Sequence, residues 1–149
     1  MKSILYLFIS ATFLMACNQN KNQDVTNDSL THEEASAAAL SLNNGAKWKA
    51  DTATNQRITD LRTIADNFKI QPFPSLNEYS ILGNDLNNAL QKMIQECKMM
   101  GADHEALHHW LEPVLKETNE LKNTKDTAMA RKNFDHIDAQ IDAYHTYFE

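Results

Sequence analysis

Apolar residues recur three and four positions apart along four long stretches of the chain, the spacing of one face of an α-helix. Ile58, Leu61, Ala65 and Phe68 predict a helix from Asp51 or Thr52 to about Lys69, ended by Pro72 and Pro74. Ser75 and Glu78 form a capping-box pattern. Tyr79, Leu82, Leu86, Leu90, Met93, Cys97 and Met100 then predict a long helix to about Met100, with Cys97 on its buried face and Gly101 as its stop. Asp103 is suited to cap a third helix carrying Leu107, Leu111, Val114 and Leu121, in which Pro113 predicts either a kink or a new start. The last helix is expected from about Asp126 to Phe148, with Ala130, Phe134, Ile137, Ile141, Tyr144 and Phe148 facing inward. Upstream, Thr31 and Glu34 make another capping-box pattern, which predicts a short helix over Ala35–Leu42, halted by Asn43, Asn44 and Gly45.

Four amphipathic segments with short connections predict an all-α domain over residues 44–149, an antiparallel up-down four-helix bundle. Only three glycines and three prolines occur, which fits a chain with little need for turns between strands.

The first 43 residues follow different rules. Lys2 precedes an apolar run from Ile4 to Met15, the length of a signal-peptide core and too short to span a bilayer, which takes roughly 20 apolar residues. The run ends at Leu14, Met15, Ala16 and Cys17. These four residues resemble the lipobox of bacterial lipoproteins, although Met15 stands where a small residue is usual. The resemblance implies a signal peptide over residues 1–16, cleavage before Cys17, and lipidation of Cys17 by diacylglycerol and an acyl chain such as palmitate. Two or more chains make a firm anchor, since each buried methylene contributes about 0.8 kcal/mol. Residues 18–31 are rich in Asn, Gln, Asp, Ser and Thr, a composition that predicts a flexible tether within residues 17–43. Asn18 in place of an aspartate after the cysteine lacks the familiar inner-membrane retention signal, which favours a cell-envelope location at the outer membrane, with the domain outside the cytoplasm. The domain is similar to small helical lipoproteins of bacterial envelopes, which implies compartment and fold and is silent on function.

Charge narrows the partners. The chain carries a formal −6, and loss of Lys2 with the leader makes it more negative by one. That argues against nucleic acid and against general adhesion to anionic headgroups. With Cys17 acylated, Cys97 is the one remaining thiol, so no intramolecular disulfide can form. A lone thiol in an oxidising envelope is either buried and inert, bridged to another chain, or a ligand.

Candidate chemistry concentrates between Cys97 and His109, where one thiol, two thioethers and three imidazoles crowd together. Soft sulfur ligands favour Cu(I), and imidazole suits copper and zinc alike. His104 and His108, four apart, project from one helix face, the spacing used to put two imidazoles on one metal. Cys97 and Met100 (or Met99) lie just before the glycine turn. Cys97, Met100, His104 and His108 thus make a candidate site for Cu(I) or Zn, and an up-down bundle would bring His145 near His104. Set against this, methionines at helical spacing also serve as core filler, and a single buried cysteine also acts as a small hydrophobe. His109 and His136 are expected to face solvent, and Trp48, Trp110, Tyr144 and Tyr147 to form core or rim.

Three functions remain open: a metal-binding envelope lipoprotein; a structural or adaptor lipoprotein serving an envelope protein partner; and a haem-binding bundle, for which no CxxCH is present. Enzyme motifs such as GxSxG, HExxH or a P-loop are absent, and a lone Glu105–His108 ExxH lacks the partners of a di-iron site. A non-catalytic protein is therefore expected.

Overall fold

The computed structural model describes residues 40–149. The expected signal peptide, the lipobox with Cys17, and the expected tether up to residue 39 lie outside the described residues. Four helices carry the fold: α1 (Thr52–Lys69), α2 (Leu76–Glu96), α3 (Gly101–Asn123) and α4 (Thr127–Tyr147). Among the described residues there is no strand, only two isolated bridges. Among the described residues, no helix is long and apolar enough to cross a membrane.

Each helix buries the predicted stripe. Ile58, Leu61, Ala65 and Phe68 of α1, Tyr79 to Met93 of α2, and Ala130 to Tyr144 of α4 join Leu107, Trp110, Leu111, Val114 and Leu121 of α3 in one core. Starts are set by side chains that accept orphan N–H groups. Asp51 caps α1, Asp126 caps α4, and Ser75 with Glu78 completes the capping box of α2. Sequential helices pack on each other and α4 returns to α1. Phe68 meets Tyr79 and Phe134, with ring centroids 5.0 Å apart in both pairs. Gly83 lets α2 approach α3 closely, since a Cβ there would stand 2.9 Å from the Lys122 backbone nitrogen.

Three expectations need correction, and one open alternative closes. Leu40–Leu42, the described end of the short helix expected over Ala35–Leu42, is not helical. The Ser41 carbonyl accepts the Trp48 indole N–H at 2.7 Å, and Asn43 and Ala46 close a tight turn with Asn44 and Gly45 at positive φ. α2 stops at Glu96 rather than Met100. α3 begins at Gly101, so Asp103 sits in its first turn and does not cap it. The carboxylate of Asp103 instead accepts the Lys49 backbone N–H at 2.9 Å. Pro113 starts no new helix: α3 runs through it. Pro113 and His109, whose carbonyl loses its i+4 donor, are both exposed, so the helix passes the proline on its solvent side.

The segment before α1 is strapped to the chain's last residues. Trp48 donates to Tyr147, Ala50 to Glu149 and Glu149 back to Trp48, at 2.8, 2.9 and 3.0 Å.

Candidate metal centre

The candidate residues meet where the α2–α3 connection passes the starts of α1 and α3. Cys97 to Met100 are non-helical, and the ends of this stretch, Cys97 and Met100, are extended. Extended backbone sends alternate side chains to opposite sides. Cys97 and Met99 accordingly turn inward and are half-buried, while Lys98 and Met100 turn outward. Met100 is 83% exposed, which corrects its expected place beside Cys97 on one helix face. Met99 is the inward thioether, and its sulfur accepts the Thr54 hydroxyl at 3.7 Å.

Asp51 holds this stretch in place. One carboxylate oxygen accepts the Thr54 N–H and the other the Lys98 N–H, each at 2.7 Å. Burial pulls the Asp51 carboxyl upward. The N–H groups of Thr54 and Lys98, the Thr54 hydroxyl and the Lys98 ammonium hold it, on balance, below the usual carboxylate value.

Cys97 Sγ lies 3.7 Å from His104 Nδ1, and His104 Nε2 lies 3.0 Å from His108 Nε2. The two rings stand nearly perpendicular, with centroids 4.6 Å apart. His108 Nδ1 is 3.9 Å from a Glu112 carboxylate oxygen. Residues 104, 108 and 112 thus form a ladder up one face of α3, with the thiol at its foot. One assignment of ring protons suits every contact: Cys97 S–H toward His104 Nδ1, His104 Nε2–H to His108 Nε2, and His108 Nδ1–H toward Glu112.

This arrangement limits what a metal can use. His104 turns one nitrogen to Cys97 and the other to His108, and one imidazole gives one nitrogen to one metal. Bonds of about 2.3 Å to sulfur and about 2.0 Å to nitrogen set two donors about 3.6 Å apart at a tetrahedral angle. The Cys97–His104 spacing matches that edge. His108 then stands as the acceptor that orients His104, the usual arrangement behind a ligating histidine. Among the described residues, no three His, Cys, Asp or Glu side chains gather as a metal-binding group.

His145 is exposed, with its ring edge-on to Tyr144 at 5.2 Å. His109 and His136 are exposed as expected. Tyr144 is fully buried, stacks on Phe148 at 4.7 Å, and donates its hydroxyl to Asn55 Oδ1 at 3.0 Å. Burial, reinforced by the negative charge of Asp51, raises the Tyr144 phenol far above its ordinary value. That phenol is a fixed donor behind the site and no acid. Glu112 was missed in the sequence although its i+4 spacing from His108 announces it. Met99 is the alternative to Met100 that the sequence already offers, whereas Asp51 carries no such local signal as a site-shaping group.

Comparison with protein-family models, curated proteins and solved structures finds no match.

Proposed function

We propose that the chain is an exported, lipid-anchored protein of the cell envelope whose helical domain binds a soft transition metal, Cu(I) before Zn(II). The reading rests on the 3.7 Å approach of Cys97 Sγ to His104 Nδ1, with His108 behind it. Cu(I) takes soft sulfur and fewer donors than the four of a structural Zn(II), and the Cys97–His104 pair, too close for a linear two-coordinate ion, calls for a third donor. The third donor is a thioether: Met99, turned to the same side of the stretch as Cys97, is the better placed, and Met100, exposed at the head of α3, is the alternative. His145 stays outside this set. Few, partly exposed ligands suit a carrier that must release its metal again. Binding requires the thiolate, so affinity falls in acid. The protein acts without catalysis.

The fold in this proposal is an antiparallel up-down bundle. It is supported by contacts in which residues from the first half of one helix meet late residues of a neighbouring helix: Ser80 with Lys122, Trp110 with Tyr144, and Asn55 with Tyr144. The anchor is supported by Leu14–Cys17 alone.

Two other functions were weighed. An adaptor for an envelope protein is favoured by the bare Phe73, which is 99% exposed. A haem site has no such support: of the described methionines only Met93 is sealed in the core, and no described histidine is buried.

A Cu(I) competition titration on the reduced protein tests the main reading. One equivalent should bind, and Cys97→Ala and His104→Ala should each weaken it at least a hundredfold, with His108→Ala costing about 10–100-fold as an orienting residue. Binding indifferent to Cys97→Ala and His104→Ala would remove the metal function and leave the adaptor.

A further inference from the structure

The outer side of the α1–α2 pair carries a feature that metal binding does not use. Asp60 and Ile64 share one face of α1, and Glu78, Ile81, Asp85 and Lys92 share one face of α2. These two stripes bound two clefts that have Ile64 and Asp85 in common, so the clefts form one groove between the helices. Phe68, Leu82 and Ala89 close its floor from the core side. From Glu78 to Lys92 the groove runs about 21 Å along α2, the length of a helix of roughly fourteen residues.

Two observations set this groove apart from the solvated faces of the bundle. Ile81, in the middle of a helix, is 52% exposed and stands beside the half-buried Ile64, so the apolar lining is open to solvent. The charge is also one-sided. Asp60, Glu78 and Asp85 line the groove against the single ammonium of Lys92. Arg57 stands next to it and pairs with Asp60 at 2.7 Å and with Glu96 at 3.3 Å. With Arg57 and Glu96 included, four carboxylates face two cations. Asp85 is exposed and has no ion pair among the described residues.

We infer that this groove receives an amphipathic helix with a cationic rim, presented by a partner protein. Apolar side chains three and four apart on that helix rest on Ile64 and Ile81, and lysines or arginines beside them meet Asp85 and Glu78. A helix laid along two others, ridges into groove, is how a bundle takes on a further member. The chain's own segments do not complement the groove. Residues 17–39 hold Lys21 as their one lysine or arginine against Asp24, Asp28, Glu33 and Glu34, and a second copy brings the same formal −6. The groove's carboxylates repel anionic headgroups and nucleic acid. The docking does not depend on acylation or on metal.

The test uses the full chain and a fluorescein-labelled peptide of leucine, lysine and alanine, with leucines three and four apart and lysines flanking them. Fluorescence anisotropy should show one peptide bound per chain, with affinity falling as salt is raised. Asp85→Lys and Ile81→Ala should each weaken binding about fivefold or more with helix content unchanged. Asp85→Asn should act in the same direction by less. Glu120→Lys changes the net charge as much as Asp85→Lys but lies on α3, outside the groove. It should leave binding within about twofold, because exposed charges away from the contact are screened by salt. A peptide of the same composition in scrambled order should bind far more weakly. Absence of saturable binding would overturn the inference. So would equal losses from Asp85→Lys and Glu120→Lys, or equal binding of the scrambled peptide, since either reduces the effect to net charge. Self-association of the chain that Ile81→Ala abolishes would also overturn it, by giving the groove to a second copy. None of these results bears on copper binding, which the titration reads separately.

Discussion

At the scale of single residues, the chain keeps costly choices where function is proposed. A non-glycine residue in the left-handed region costs roughly 1–2 kcal/mol, and Phe73 sits there with its side chain in solvent. Phe73→Gly should relieve that strain and lose no packing. After subtracting glycine's greater freedom in the unfolded chain, roughly 0.5–1 kcal/mol, a gain of about 0.5–1 kcal/mol remains, read as a higher midpoint in urea or heat. A lower midpoint would mean that the phenyl ring supports the fold. His104 is the other instructive residue: its two nitrogens face different partners, so it links thiol to imidazole without letting both bind one ion.

At the scale of elements, α2 approaches the backbone of α3 closely at Gly83. Alanine is ordinarily favoured over glycine inside a helix by about 1 kcal/mol. Here its methyl would meet the backbone of Lys122 at 2.9–3.0 Å, and backbone cannot swing aside. Gly83→Ala should therefore cost about 1–3 kcal/mol through forced separation of α2 and α3, measurable by equilibrium unfolding. The same elements show what the sequence could disclose. Periodicity and capping residues located α1 and α4 to within a residue or so, because each begins at its own side-chain cap. They misplaced the end of α2 and the start of α3, where the backbone answers to distant partners. Asp51 takes the Lys98 N–H and Asp103 takes the Lys49 N–H, across 47 and 54 residues. The pairing of His104 with His108 was legible because it lies within one helix. Which methionine faces the thiol was not, because that depends on the stretch being extended.

At the scale of the whole molecule, ionisation should shape stability with two opposing slopes. Asp51 and Asp138 have depressed folded values. At Asp138, burial raises the carboxyl, but Lys69 and Arg62 more than offset it. The stability these two supply is present at neutral pH and is lost as pH falls below the ordinary aspartate value of 3.8. Glu117 is raised, first by burial and despite the neighbouring His136, so folding disfavours its charge. Its penalty eases as pH falls toward the ordinary glutamate value of 4.5. Urea midpoints at pH 7, 4.5 and 3 should show little loss or a slight rise at the second, then a clear fall at the third. A steady decline from pH 7 would mean that Glu117 is not strained. The bonds between Trp48, Ala50 and the chain end have a mechanical consequence. A pull arriving through residue 40 reaches α1 only after the Asn43–Ala46 turn and those three backbone hydrogen bonds, so the strap works as a fuse that parts before α1 is loaded.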